Sequence, residues 1–194
     1  MTARFERAAA DQEMEQARHD FRQLATRASA ADLGRRSDGT KWTNRQLLFH
    51  MLLGYLIVRA LLVLARVFGR RRPASKAFAR LLDAARGPFH LVNYLGSCIG
   101  ARIIPTARMP GMLDKITGSL QRCLRHDTDD ALRRGMHFPT TWDPFFSDYM
   151  TLADIYRYPI RHYQFHRRQL TLPGLDSQAG IRAPDSPRRE SGPR

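Results

Sequence analysis

The 194-residue sequence predicts an all-α protein, and three observations carry that expectation. Apolar residues recur at three-and-four spacing in several long stretches, a capping box opens the most apolar of them, and no stretch alternates convincingly as a strand would. Hydrophobic residues make up 43% of the chain, enough to fill a core, and the length suits one well-buried domain with tails.

The first helical pattern runs from about 10 to 33. Phe21, Leu24, Ala25 and Ala28 form its buried stripe, Gly34 ends it, and Asp38-Gly39 marks a turn in the polar loop that follows. The second helix opens at Thr43-Asn44-Arg45-Gln46, where Thr43 accepts from a free backbone amide and Gln46 reaches back. Its apolar run continues through Phe68 and stops at Gly69. That length would cross a bilayer, but His50, Arg59 and Arg66 interrupt it, and an arginine at the centre of a membrane helix costs ~2.5–3.5 kcal/mol. A long buried helix is therefore expected. Residues 74–108 read as an extra helical segment, opened by Pro73 and interrupted at Gly87-Pro88. The third bundle helix runs from about Pro110 to His126, with Met112, Leu113, Ile116, Leu120 and Leu124 on one side. A loop of aromatics and prolines follows from Gly135 to Pro144. The last helix starts near Ser147 or Thr151 and ends about Leu170, with a kink expected at Pro159.

These elements divide the chain into a flexible N-terminus over 1–14, a helical domain over 15–170 with an insertion at about 70–108, and a disordered tail over 171–194. The tail is rich in Gly, Pro, Ser and mixed charge and has no periodicity. The N-terminus carries no apolar core followed by a cleavage site, and Cys98 and Cys123 have neither redox nor zinc-ribbon spacing. Both features fit a cytoplasmic protein with two buried thiols. The formal net charge is +14. Between Arg59 and Arg86, eight basic residues stand against one acid, Asp83, a cluster able to attract nucleic acid, anionic lipid or an anionic small molecule.

The chemistry is carried by histidines. His162 and His166 lie four residues apart on the last helix, an offset of about 40° and a rise of roughly 6 Å, so both imidazoles leave one face. A third ring from a neighbouring helix would complete a three-nitrogen site with an open coordination position, the mark of a catalytic metal. His50, at the buried start of the second helix, is the candidate. Asp143 and His137, in the loop before the last helix, are candidates for proton transfer or for orienting the site. Asp154 is two turns from His162, too far to share its metal, and no set of glutamates exists for a di-iron centre. Nucleophile elbows, phosphate-binding glycine loops and zinc-peptidase motifs are absent from the sequence.

The run Trp42-Thr43-Asn44-Arg45-Gln46-Leu47-Leu48-Phe49-His50-Met51-Leu52 resembles the second helix of the DinB-like superfamily. His162-Tyr163-Gln164-Phe165-His166-Arg167-Arg168-Gln169-Leu170 resembles that family's closing His-x-x-x-His followed by Gln-Leu. The resemblance implies a four-helix bundle, here with an extra helical insertion between helices two and three, and a divalent metal held by His50, His162 and His166. Zinc is the expected ion, with nickel and ferrous iron as alternatives. It also implies a metal-dependent enzyme that activates a low-molecular-weight thiol, such as mycothiol or bacillithiol, or water, for transfer, isomerisation or hydrolysis. Its partners would be a small-molecule thiol and an electrophile, with Arg59 attracting the anionic thiol and a homodimer as the assembly. The rival reading is a non-enzymatic protein whose basic segment 59–86 docks on nucleic acid or an anionic membrane.

Overall fold

The computed structural model describes residues 6–69 and 71–172. Eight helices and one small strand pair follow in order: α1 (Arg7–Arg27), α2 (Ala30–Gly34), α3 (Asn44–Phe68), α4 (Arg72–Ala84), α5 (Arg86–Ile103), α6 (Met109–His126), α7 (Asp129–Arg133), β1 (Gly135–His137), β2 (Tyr149–Thr151) and α8 (Leu152–Arg167). The bundle consists of α1, α3, α6 and α8. Helix α3 is its central member and packs on α8, α5 and α6, while α1 packs on α6 and α8.

Local sequence explains most boundaries. Thr43 accepts from the Gln46 backbone N–H, and Gln46 Oε1 accepts from the Thr43 N–H, so the expected capping box opens α3. Thr151 and Asp154 form the same reciprocal cap at α8, which selects Thr151 over Ser147 as its start. The first pattern is two helices rather than one. A further box, Ser29 with Asp32, starts α2 and ends the continuity of α1. Asp38-Gly39 is the expected turn, with Gly39 at φ 65°, a region that only glycine enters freely.

Three boundaries depart from expectation. Helix α1 begins at Arg7, and Ala10 and Met14 are buried in the core, so flexibility does not extend through 7–14. Residues 1–5 lie outside the described residues, as does the expected disordered tail from 173 onward. Thr171 and Leu172 belong to the fold: Leu172 is buried, and the Thr171 backbone N–H donates to Asn44 Oδ1 at 3.1 Å. The break in the insertion falls at Ala85, and Gly87-Pro88 sits in the first turn of α5, where a proline without its N–H costs no helical bond.

No strand was expected, yet Gly135, Met136 and His137 pair antiparallel with Thr151, Met150 and Tyr149. Three residues are too few to display alternation in sequence. Glycine is required at 135, because a Cβ there would stand 2.1 Å from the Met150 carbonyl oxygen. This pair ties off the loop 138–148, whose Trp142 Nε1–H donates to the Leu82 carbonyl of α4 at 2.8 Å and whose Trp142 ring stacks on Phe89 of α5.

The core is apolar and continuous through the bundle, with Phe21, Met14, Leu24, Leu47, Leu48, Leu52, Tyr55, Leu113 and Tyr156 fully buried. Helix α3 is long and apolar enough to cross a membrane, and 56% of its most apolar window is buried against the other helices, as in a core helix. Half-buried acids hold the periphery. Asp127 accepts from Arg66 at 2.9 Å and from the Tyr156 hydroxyl at 2.7 Å, and Asp20 accepts from Tyr163 at 2.7 Å and Arg167 at 2.9 Å. Cys98 and Cys123 are half-buried free thiols rather than fully buried ones.

Candidate metal centre

The crossing of α3 and α8 brings His50, His162 and His166 together. One ring nitrogen from each lies within 4.8 Å of the others, and the residues are only 6%, 2% and 8% exposed. His162 Nε2 and His50 Nε2 stand 3.2 Å apart. A tetrahedral ion with metal–nitrogen bonds of ~2.0–2.1 Å would hold its ligand nitrogens about 3.3 Å apart, so this pair already has the separation of two ligands.

Neighbouring groups set the tautomers. Ser97 Oγ donates to the Asn93 carbonyl at 2.8 Å and therefore accepts from His50 Nδ1 at 3.2 Å, which leaves the His50 Nε2 lone pair free. Gln169 Oε1, 2.7 Å from His166 Nδ1, does the same for the third ring. Such outer partners are what orient metal-binding imidazoles and raise their basicity. His162 is held by shape instead. Its ring lies directly over Gly54, where an added Cβ would come within 2.6 Å of Nδ1, and that nitrogen has no hydrogen-bond partner among the described residues. Leaving a buried polar group unpaired costs about 1–3 kcal/mol. Ligation through Nε2 is a reason for the fold to retain the ring there. Trp42 completes the frame, stacked on His50 with centroids 4.4 Å apart and edge-on to His166 at 6.4 Å.

Electrostatics keep all three rings neutral, the form that binds a cation. Burial pushes the His50 pKa down to about 3, with His166 beside it adding to the effect. Burial also holds His162 well below the usual range, assisted by both neighbouring rings. For His166 burial again lowers the pKa, opposed by the bond to Gln169 and the charge of Asp143.

His50 and His162 open onto a partly enclosed cavity of about 220 Å³. Asp143 lies on the same wall, its Oδ2 accepting from the Tyr158 hydroxyl at 2.9 Å and its Oδ1 from the Phe145 backbone N–H at 2.8 Å. Burial raises its pKa despite those two donors. The other two loop and surface candidates fall elsewhere. His137 is in β1, with its Nδ1 3.1 Å from Asp148 Oδ1, and the cavity is lined by its neighbours Met136 and Phe138. Arg59 is exposed. Residues 50, 54, 57, 61 and 64 of α3 form the cavity stripe, and position 59 is about 160–200° around the helix from Ile57 and Leu61.

The chain matches the DinB superfamily over residues 13–170, a span that includes all three histidines and both capped helices that present them. The chain belongs to the DinB superfamily. Among solved structures, YfiT from Bacillus subtilis, described as a probable metal-dependent hydrolase with an unusual four-helix bundle topology, superposes with a TM-score of 0.58. The two share 16% identity, and the alignment covers 88% of this chain and 87% of YfiT. No match was found among curated proteins.

Within this DinB-type bundle, Ser97, Gly54 and Tyr158 escaped the sequence reading, and Gln169 stood in the closing motif without a role assigned to it. Ser97 comes from the insertion, with no signal beyond a hydroxyl in an apolar helix. Gly54 and Gln169 had detectable signals, one turn after His50 and three residues after His166. Tyr158, one turn before His162, carried the same signal.

Proposed function

We propose that this DinB-superfamily protein is a divalent-metal-dependent enzyme that uses His50, His162 and His166 to hold the ion, zinc foremost, with nickel or ferrous iron as alternatives. It activates water or a low-molecular-weight thiol such as mycothiol or bacillithiol for hydrolysis, transfer or isomerisation. The observation that carries this reading is the convergence of three neutral, buried imidazoles, two with their outer nitrogens fixed by Ser97 and Gln169. The ion, when bound, supplies Lewis acidity that lowers the pKa of a thiol or water.

The chain's own residues do the rest. Asp143 faces the cavity with a raised pKa, so its carboxyl can take a proton from the attacking group and return it to a leaving group. Tyr158 holds Oδ2 of that carboxyl in place. Phe78, Phe138 and Trp142 line the cavity and limit water around the reacting atoms. The description of YfiT as a probable metal-dependent hydrolase lends support to water as the acceptor.

Metal analysis of untagged protein, purified without chelators, tests the reading. About one ion per chain is expected, lost in a His162→Ala/His166→Ala double variant. Protein that takes up no metal after repletion overturns it.

A second reading is favoured by one observation. Helix α5 exposes Leu91, Val92, Leu95, Ile99 and Ile103 along one arc, beside the basic segment 59–86. An apolar stripe with flanking cations suits an anionic membrane surface. A second copy would set like charges against each other, and nucleic acid would leave the stripe unused. Flotation with vesicles of phosphatidylglycerol, and its absence with phosphatidylcholine alone, is the expected result. Binding to duplex DNA at the same salt without flotation would overturn this reading.

A further inference from the structure

The cavity beside the histidines is chemically unlike the surface around it. The full chain has 32 lysines and arginines, yet among the described residues no lysine or arginine lines the cavity. Among the described residues Asp143 is the one carboxylate on the wall, and the other polar wall residues are His50, His162, Asn93 and Tyr158. In the metal-free protein an anionic ligand would enter past apolar side chains, lose its hydration and meet no lysine or arginine of the described residues in return. An uncharged one loses little.

Size and shape narrow the class further. An apolar cavity of 150 Å³ holds a benzene ring, and this one measures about 220 Å³, room for one ring with short substituents. Its walls are planar and apolar: Phe89 and Trp142 stack with centroids 3.8 Å apart and planes 12° from parallel, and Leu61, Phe78 and Leu82 line the same space. Aromatic faces of this kind favour a flat guest. The polar part of the wall comprises His50, His162 and Asp143, with Asn93 and Tyr158.

We infer that the cavity binds an uncharged, single-ring, mainly apolar molecule whose polar substituent faces His50, His162 and Asp143. The inference deepens the proposed function by naming the electrophile's class, and it rests on that reading only for the reaction. Helices α4 and α5, the insertion, supply Phe78, Leu82 and Phe89 of this recognition surface. A ligand's charged or bulky portion stays outside the cavity.

The test is calorimetric titration of the full chain, as purified and after treatment with a chelator, using p-cresol, 4-methylbenzoate and 2-naphthol. In the chelated protein p-cresol is expected to bind about tenfold or more tightly than 4-methylbenzoate. The two-ring 2-naphthol is expected to bind poorly until Phe89→Ala enlarges the site. Leu61→Trp fills the cavity and should abolish p-cresol binding. Equal or tighter binding of the carboxylate to chelated protein overturns the inference, as does no p-cresol binding at all, or p-cresol binding unchanged in Leu61→Trp together with 2-naphthol binding unchanged in Phe89→Ala. Binding of p-cresol by protein that never takes up metal would sink the metal reading and leave this one standing.

Discussion

The bundle and its insertion are built on opposite principles. Helices α1, α3, α6 and α8 bury large side chains on nearly every turn, whereas α5 fully buries only Ser97 and Ala101 and leaves Leu91, Val92, Leu95, Ile99 and Ile103 facing outward. Small residues set how closely α5 approaches α3: a Cβ at Gly100 would stand 2.1 Å from the Phe49 ring. Polar links fasten the rest, with Trp142 bound to Leu82, Thr141 to Asp83, and His50 to Ser97. The bundle is thus held by its core, and the insertion is held by close small-residue packing, the Phe68–Phe78 stack and these polar links.

That contrast can be broken or sharpened by four measurements. Acid should act most strongly, and on the bundle crossing. Each histidine has a folded pKa below its unfolded value of 6.5, so metal-free protein keeps this stability above about pH 6.5 and loses it as pH falls. The share of His50 runs out near its folded pKa of about 3. The loss is on the order of a few kcal/mol, read from urea melts of chelated protein, and a flat profile would mean that the rings are not buried neutral. Gly54→Ala comes next. The gain in helix propensity is at most ~1 kcal/mol, but the new Cβ must displace the His162 ring, and overpacking costs about 1–3 kcal/mol. Metal content should fall with the melting temperature. Unchanged occupancy would remove His162 from the ligand set.

Ser97→Ala probes the link between the two regions. Second-partner losses of this kind weaken metal affinity by about 10–100-fold, and competition with a chromogenic chelator would measure it while circular dichroism verifies the fold. An unaltered affinity would make the Ser97 bond incidental. The smallest effect is expected at the outer stripe, where Ile99→Ser should shift stability by about 0.5 kcal/mol or less. A larger loss in thermal melts would mean that Ile99 is covered in solution.

The same contrast explains what could be read in advance. The bundle was legible because its helices advertise themselves through three-and-four periodicity and through paired caps at Thr43 and Thr151. The pair His162 and His166 was legible from spacing alone, and His50 from its place in a capped apolar helix. Arg59 and His137 were misplaced because a type of residue near a motif says nothing about azimuth or about a three-residue strand. Ser97 was hidden for a different reason. It reaches His50 across 47 positions of chain, and no local pattern encodes a contact between two helices whose spacing depends on Gly100 and Phe49.

The bond from Ser97 to His50 also bears on modularity. A designer shortening the chain to a minimal bundle would treat residues 70–108 as a dispensable loop, since α4 and α5 bury so little. The excised protein would retain its three histidines and much of its hydrophobic core. It would lose the acceptor that fixes one imidazole and a wall of the cavity, and so become a stable scaffold without a defined catalytic pocket. Grafting runs the same way in reverse: related bundles could acquire a new recognition surface by receiving this hairpin, provided that a serine at its inner face meets the histidine of the host.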